Sequence, residues 1–250
     1  MRDWAATIPA AAHHGRGKMI QFRDRGARGR HQGGQIDARH SFSFADYNDP
    51  KHMGFRALRV LNEDHVVPGA GLPEHGHEDI EIVTIVLEGA VEHRDNLGNS
   101  AVIRAGEVQR MSAGTGIRHS ERNPSANERT HLLQIWIIPA APGGPPSYEQ
   151  KSFAEGGARN RWVTIASGDG RDGSLTLRQD AAIDIARLDD GVVLERRLDP
   201  SRGYWVQVIA GIANLNGTEM REGDGAAITS EDDMSVEAGT DAELLLIDLP

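Results

Sequence analysis

Residues 75–89 read His75-Gly-His77-Glu-Asp-Ile80-Glu-Ile-Val-Thr-Ile-Val-Leu87-Glu-Gly89. The second part of this stretch is a run of apolar and β-branched residues that ends at a glycine, which is typical of a buried β-strand. The first part holds two histidines two residues apart. In an extended strand residues i and i+2 project from the same face, so both imidazoles can reach one metal ion. The stretch therefore predicts a β-sheet that carries a metal site.

A second pair of candidate ligands, His119-Ser-Glu121, has the same spacing. Together with His75 and His77 it supplies three imidazoles and one carboxylate. Glu81 lies four residues beyond His77, which is the same face of a regular strand. This ligand set, with coordination positions left open, suits one redox-active divalent transition metal, Fe(II) before other first-row metals. From the spacing alone the carboxylate ligand can be Glu121 or Glu81.

Further short apolar runs surround this stretch and predict an all-β fold. In the first half we predict strands at 40–44, 55–61, 80–87, 102–103, 108–111 and 132–138, with a hairpin turn at 95–99. In His40-Ser-Phe-Ser-Phe44 the two phenylalanines alternate with serine, which predicts a strand with both rings on one face. A short helical turn is predicted at 181–188. The 29 glycines and 11 prolines indicate frequent turns, as in sandwiches and barrels.

Changes in amino-acid composition and apolar pattern divide the chain into segments. Residues 1–18 have no periodic apolar pattern and predict a disordered leader, or a native start at Met19. Residues 139–146 are rich in proline and glycine and can continue neither a strand ladder nor a helix. The predicted domains are therefore residues 19–139, a linker at 140–150, and residues 151–250.

The two halves resemble each other in short motifs. Val86-Leu-Glu-Gly89-Ala is similar to Val208-Ile-Ala-Gly211-Ile, and Arg104-Ala-Gly106-Glu is similar to Arg221-Glu-Gly223-Asp. Such a repeat predicts two barrels of one architecture. No histidine follows His131, so we expect the second barrel to lack a histidine metal site and to serve a structural role.

Composition excludes several classes of function. The net charge of −10 argues against direct binding to nucleic acid. No run of eighteen apolar residues exists, so no membrane-spanning segment is expected. Cysteine is absent, which removes disulfides and thiolate chemistry and fits a reducing compartment such as the cytoplasm.

The glycine and histidine spacing resembles the cupin family. Gly69-x5-His75-x-His77-x3-Glu81 is close to the first cupin motif, and Gly106-x5-Ser112-x-Gly114 with His119-x3-Asn123 is close to the second. Two departures are that Ser112 stands where a proline is usual and that His119 comes two residues later than expected. The second departure can bring Glu121 to the metal in place of Glu81.

With these departures the sequence resembles, more specifically, the pirin family of two-cupin proteins. The similarity rests on His40-Ser-Phe-Ser-Phe-Ala-Asp-Tyr-Asn-Asp-Pro50, on residues 75–89 and on Met111-Ser-Ala-Gly-Thr-Gly-Ile-Arg-His119-Ser-Glu121. It is dense from 40 to 139 and looser in the second half. The resemblance implies two cupin barrels with one metal in the first, bound by the four residues of the two pairs, His75, His77, His119 and Glu121. Glu81 then becomes a neighbour of the ligands that can accept a hydrogen bond from a ligand imidazole.

The bacterial pirin-like proteins with quercetin 2,3-dioxygenase activity resemble this chain most. This resemblance implies that the chain is a metal-dependent dioxygenase that opens the ring of a flavonol with O₂ and releases carbon monoxide. The metal would act as a Lewis acid on the deprotonated 3-hydroxyl, and Glu121 would accept the hydroxyl proton.

Other interpretations stay open. Pirins are also described as transcriptional cofactors, so a non-catalytic metalloprotein that senses redox state and binds a protein partner is the alternative. The chain is expected to be a monomer or a weak dimer. His93 and His131 are interpreted as hydrogen-bonded structural residues, and His52 and His65 as surface groups in turns.

Overall fold

Apolar side chains that alternate with polar ones place most of the chain in β-strands. The computed structural model describes residues 19–153 and 157–250, so the predicted leader at 1–18 lies outside the described residues. The first twelve strands are β1 (Met19–Arg23), β2 (Gly29–Gly33), β3 (Ile36–His40), β4 (Leu58–Val66), β5 (Gly71–His77), β6 (Glu81–Glu88), β7 (Ala90–Asp95), β8 (Ser100–Arg104), β9 (Glu107–Ser112), β10 (Ile117–Arg122), β11 (Thr130–Ile137) and β12 (Ser147–Ser152).

Ten strands follow in the second half. They are β13 (Val163–Ser167), β14 (Leu175–Thr176), β15 (Ala182–Leu188), β16 (Val193–Arg197), β17 (Gly203–Ala210), β18 (Ile212–Leu215), β19 (Thr218–Arg221), β20 (Gly225–Thr229), β21 (Asp233–Ala238) and β22 (Ala242–Leu249). Two short 3₁₀ helices occur at Arg25–Ala27 and Arg171–Gly173. Among the described residues no helix is long and apolar enough to cross a membrane.

The strands form two barrels of the same design, which confirms the all-β prediction. The first barrel pairs a seven-stranded sheet, in the order β12-β9-β6-β11-β4-β3-β2, with a four-stranded sheet, β5-β10-β7-β8. The second has the corresponding sheets β1-β20-β17-β22-β15-β13-β14 and β16-β21-β18-β19.

The repeated glycines occupy equivalent turns of the two barrels. Gly89 and Gly211 both have φ values in the left-handed region, 72° and 79°. Gly106 donates its backbone N–H to the carbonyl of Val86 at 3.0 Å, and Gly223 donates to Val208 at 2.9 Å. The short sequence repeat therefore marks a repeat in structure.

Each large sheet takes one edge strand from the other side of the linker. β1 pairs with β20 of the second barrel, and β12 pairs with β9 of the first. Residues 19–23, grouped with the first domain from the sequence, thus extend the second sheet, and residues 147–152 extend the first. The turn-rich sequence between 138 and 146 contains no strand.

The interiors of the two barrels differ in chemistry. The second is filled by apolar side chains that include Tyr204, Val206, Leu215, Val236 and Leu244. In the first, a row of polar residues crosses the large sheet in register; it consists of His40, Asn62, Gln134, Thr84, Gln109 and Gln150. The first interior can therefore surround a polar site, whereas the second is mostly apolar.

The outer faces of the two large sheets form a shared apolar core. It joins first-half residues such as Phe42, Leu61 and Ile135 to second-half residues such as Ile183 and Trp205. The Phe42 and Trp205 rings lie 4.9 Å apart. The two barrels are therefore packed through buried side chains.

Two secondary-structure predictions were wrong. β3 ends at His40, and the chain then turns, so that Phe42 enters the shared core while Phe44 contacts Trp136 at 5.4 Å. The predicted helical turn at 181–188 is instead the interior strand β15, which pairs with β13 and β22. Its isoleucine, alanine and leucine residues bury both faces of the strand, and this burial overrode the helix-compatible composition.

Candidate metal centre

The two predicted ligand pairs lie on neighbouring strands of the small sheet. β5 and β10 are antiparallel, and His119 stands directly opposite His75, with Ile117 opposite His77. Residues opposite each other in an antiparallel pair project from the same face. The spacing in the sequence predicted only that the two residues of each pair share a face. The strand register adds that His75, His77 and His119 lie together.

The three imidazoles form a tight triad. The ring centroids are 4.7 Å apart for His75 and His77, 4.5 Å for His75 and His119, and 4.9 Å for His77 and His119. The Nε2 atoms of His77 and His119 are 2.9 Å apart. Two nitrogen ligands of one first-row metal lie about 3 Å apart. The separation therefore fits neighbouring positions of one ion.

Hydrogen bonds and burial keep these histidines ready to bind a metal. His75 Nδ1 lies 2.9 Å from the carbonyl oxygen of Pro73, which assigns the proton to Nδ1 and leaves Nε2 free. Burial, followed by the neighbouring imidazoles, lowers the pKa of His77 to about 3, and the same causes lower the pKa of His119 to about 3. Neutral imidazole is the form that binds metals.

Glu121 is adjacent to this triad through His119. One ligand atom each from His93, His119 and Glu121 lie within 4.8 Å of one another, as do those of His75, His77 and His119. The pairing of β5 with β10 shifts register between His119 and Glu121, opposite Pro73, whose missing N–H interrupts the ladder. Because of the shift, Glu121 stands opposite Leu72 and does not continue the regular pairing that places His119 opposite His75.

Only one of the two carboxylate oxygens of Glu121 has a hydrogen-bond partner. Its Oε2 accepts a hydrogen bond from Gln134 Nε2 at 2.8 Å, while its Oε1 is buried with no hydrogen-bond partner. Gln134 is held in turn by Trp136, whose Nε1 donates to the amide oxygen at 3.1 Å. A buried carboxylate oxygen without a partner costs about 1–3 kcal/mol, which a bound cation or proton would offset.

Glu81 lies elsewhere, contrary to the prediction that it contacts a ligand imidazole. The chain turns between His77 and β6, so the alternation does not continue from one to the other. The Glu81 carboxylate accepts hydrogen bonds from Ser112 Oγ at 2.7 Å and from the backbone N–H of Arg178 at 3.2 Å. Its side chain therefore points to the junction with the second barrel.

His93, interpreted from the sequence as a hydrogen-bonded structural residue, lies at the site beside His119. It is fully buried, its Nδ1 lies 3.4 Å from His119 Nδ1, and its Nε2 donates to Asp95 Oδ2 at 3.0 Å. Although burial raises the pKa of Asp95, hydrogen bonds from His93 and Asn99 lower it overall. The carboxylate thus fixes His93, and His93 can accept the Nδ1 proton of His119. The spacing His93-Arg-Asp95 was the available signal.

The triad opens toward solvent on the β5 side. His119 is buried, whereas His75 and His77 are half-buried, and the edge of Trp136 packs against His77 at 4.9 Å. On the inner side, Glu121, Asp64 and Gln134 line a cavity of about 30 Å³, enough for one water molecule. A larger cleft of about 530 Å³, lined by Arg178, Arg202 and Asp248 among others, lies at the barrel junction and contains none of the predicted ligands.

The residues present fit a divalent transition metal. Three imidazoles converge, one with its other nitrogen fixed by a carbonyl oxygen and one next to a fixed histidine. The unpartnered Oε1 of Glu121 lies beside the same His119. Nitrogen ligands with a carboxylate and open positions suit Fe(II) and neighbouring metals.

Sequence profiles of known families match both halves of the chain. The profile described as Pirin matches residues 21–137, and the profile described as Quercetinase C-terminal cupin domain matches residues 164–249. The two matches confirm two cupin domains in one chain.

Individual relatives cover nearly the whole sequence. A protein of Escherichia coli K12 named quercetin 2,3-dioxygenase is 46% identical over 93% of this chain and 99% of its own length. A pirin-like protein of Caulobacter vibrioides is 44% identical over 86% of this chain and 93% of its own. The crystal structure of the E. coli bacterial pirin YhhW in complex with nickel(II) superposes with a TM-score of 0.89 at 46% identity, covering 93% of this chain and 99% of that one.

Proposed function

The chain belongs to the pirin family, and from this premise we propose that it is a metal-dependent dioxygenase that opens the flavonol ring of quercetin-like substrates with O₂ and releases carbon monoxide. The observation that carries the proposal is the triad of imidazoles on β5 and β10, half open to solvent, with a carboxylate beside it. The E. coli relative named quercetin 2,3-dioxygenase supports the substrate class.

His75, His77 and His119 would hold the metal, with Glu121 as the fourth ligand. We propose Fe(II) as the native ion; the nickel(II) complex of the related E. coli pirin supports a divalent metal in this family. A bound divalent metal would supply Lewis-acid chemistry to the 3-hydroxyl of a flavonol. Because His75 and His77 are only half-buried, the proposed substrate would approach the site from their side.

Glu121 is proposed as the group that accepts the hydroxyl proton. Its Oε1 has no hydrogen-bond partner, so it is free to bind either the metal or a proton. The Gln134 amide fixes Oε2 of Glu121 and also binds the indole of Trp136. Because the Trp136 ring packs against His77, the carboxylate is linked to that ligand. A proton acceptor held in this way contributes about 10²–10⁴-fold to a rate.

The test is turnover of quercetin by the full chain after anaerobic loading with Fe(II). We expect O₂ uptake and carbon monoxide release that depend on the metal. His75→Ala should abolish metal binding, and Glu121→Gln should lower kcat by about 100-fold or more. Glu81→Gln is the matched control, because its carboxylate faces the barrel junction.

Two outcomes would overturn parts of this proposal. Absence of metal-dependent quercetin consumption would exclude the dioxygenase and leave the metalloprotein that binds a regulatory partner. Full metal affinity and full turnover in Glu121→Gln, with loss of both in Glu81→Gln, would exclude the role proposed for Glu121.

A further inference from the structure

A second cluster of metal-ligating side chains lies on the outer face of the first barrel. His65 on β4 stands directly opposite His131 on β11. Their rings are stacked with centroids 4.0 Å apart and planes 21° apart. Glu63, two residues before His65 and on the same strand face, places its Oε1 3.0 Å from His131 Nε2. One ligand atom from each of the three lies within 4.8 Å of the other two.

This cluster is separate from the triad on β5 and β10. Asp64 lines the small cavity with Glu121 inside the barrel. Since side chains alternate along a strand, Glu63 and His65 project from the opposite face of the sheet. The sheet backbone therefore separates the cluster from the proposed catalytic site, and the two sets share no residue.

The donor set matches a zinc site. Two imidazoles and one carboxylate are the protein ligands of many zinc sites, with a fourth position for water or another carboxylate. Ligand atoms about 2.0–2.1 Å from a tetrahedral ion lie about 3.3 Å apart, close to the observed separation of Glu63 Oε1 and His131 Nε2. These two ligand atoms therefore need little movement to bind one ion, whereas the His65 ring, stacked on His131, has to rotate for its nitrogen to reach the same ion.

The surroundings keep the carboxylate in place and add negative charge. Arg28 Nη2 binds the other oxygen of Glu63, Oε2, at 2.8 Å and leaves Oε1 directed at His131. Asp37 stands opposite His65 in the pairing of β3 with β4, and Glu88 stands opposite His131 in the pairing of β6 with β11. Glu88 can thus offset part of the charge of Arg28, whereas Asp37 is paired with Arg39.

We propose that Glu63, His65 and His131 form a second divalent metal site, for which Zn²⁺ is the fitting ion. Because Arg28 follows β1, the edge strand of the second barrel's sheet, an ion at this cluster would also strengthen the link between that strand and the first barrel. The site is independent of the proposed dioxygenase activity.

The test is equilibrium dialysis of the metal-free full chain against Zn²⁺, with bound metal counted by elemental analysis. The wild type should bind two equivalents. The His75→Gln/His119→Gln chain and the His65→Gln/His131→Gln chain should each bind one, and the quadruple variant none. His52→Gln is the control, since this histidine pairs with Asp49 far from either cluster, and it should leave the count at two.

Cobalt gives a second readout that does not depend on activity. In the His75→Gln/His119→Gln chain, Co²⁺ should produce the visible absorption of a tetrahedral site, and a further His65→Gln change should remove it. Zinc counts that His65→Gln and His131→Gln leave unchanged would overturn the proposal. The same conclusion would follow if the His75→Gln/His119→Gln chain bound no zinc.

Discussion

His119 lies between two other imidazoles, and each of its ring nitrogens has a distinct neighbour. Nε2 is 2.9 Å from His77, and Nδ1 is 3.4 Å from His93. His93 is oriented by Asp95, so one buried carboxylate determines the proton positions of two histidines in series. Partners of this kind orient metal-binding imidazoles and raise their basicity.

Replacing His93 should therefore weaken metal binding although His93 is not a proposed ligand. We expect His93→Gln to lower the affinity for Fe(II) or Ni(II) about 10–100-fold, because His119 loses the acceptor that fixes its Nδ1 proton. Titration with a competing chelator measures the affinity.

Glu74→Gln is the control for this measurement, since Glu74 is exposed and pairs with Arg118 on the same small sheet. Equal affinities of His93→Gln and the wild type would show that His93 is only a packing residue. Thermal unfolding of the metal-free variants separates a loss of fold from a loss of affinity.

For single residues, the sequence predicted those positions that depend only on the alternation of side chains along a strand. The pairs His75-x-His77 and His119-x-Glu121 could be recognised because i and i+2 share a face. Glu81 could not be placed, because the turn after His77 changes the face that follows. The contact between His93 and His119 depends on the register of β7 with β10, which no local pattern specifies.

Among the turns, the glycine that ends β17 is required for steric reasons. Gly211 has a φ of 79°, and a Cβ there would lie 2.1 Å from the carbonyl oxygen of Asp241. Gly217 has a φ of 89° but an added Cβ would meet nothing within 4 Å. Both positions strain an L residue, and only the first also produces a collision with backbone.

We therefore expect Gly211→Ala to destabilise the protein more than Gly217→Ala. The left-handed conformation costs about 1–2 kcal/mol at either position, and overpacking adds about 1–3 kcal/mol at Gly211. Urea unfolding of both variants measures the difference. Equal losses would contradict the collision with Asp241.

β12 joins the two barrels through one carboxylate. Glu149 accepts a hydrogen bond from Arg110 on β9 and from the backbone N–H of Thr176 on β14, at 3.1 Å for the latter. Although burial raises the pKa of Glu149, these contacts outweigh it and lower the pKa overall. The link is thus strongest when Glu149 is ionised.

Glu149→Gln should lower stability at pH 7 by about 1 kcal/mol, since Glu149 is about one-third exposed and ion pairs at such sites are weak. A depressed carboxyl pKa stabilises the folded state above the ordinary pKa of 4.5, and this contribution is lost as pH falls through the folded value. The difference between wild type and variant should therefore shrink below about pH 4.5. A difference that stays constant from pH 7 to pH 3 would contradict the ion pair.

The strands whose apolar pattern is strong were predictable, and the strands with a weak or mixed pattern were not. β6 and β11 are buried and were recognised as apolar runs. β12 reads Ser-Tyr-Glu-Gln-Lys-Ser and has no such pattern, so nothing in it indicates a strand of the first sheet. β15 was missed because alanine, aspartate and arginine dilute its alternation.

Over the whole molecule, Trp205 connects the two barrels. Its ring is 4.9 Å from Phe42 and 6.1 Å from Phe55, both of the first half, and its exposed fraction is 3%. Because this contact is part of one shared core, we expect the two barrels to unfold together.

Trp205→Ala should cost about 3–5 kcal/mol of unfolding free energy. Phe22→Ala, at a 44% exposed position on β1, is the control and should cost far less. Urea unfolding followed both by tryptophan fluorescence and by far-ultraviolet circular dichroism should give coincident transitions. Two separated transitions would show that the barrels are independent.

The exchange of β1 and β12 has a consequence for how the chain is made on the ribosome. β1 emerges first, but Met19 has its partner in Thr229, near the other end of the chain. At roughly 5–20 residues per second, that partner is synthesised on the order of ten seconds or more later. The first barrel can close once β12 has left the exit tunnel, whereas β1 must wait until β20 has been made. The pairing of β1 with β20 is thus a late step of folding, and a nascent chain released before β20 is made would leave β1 without its partner strand.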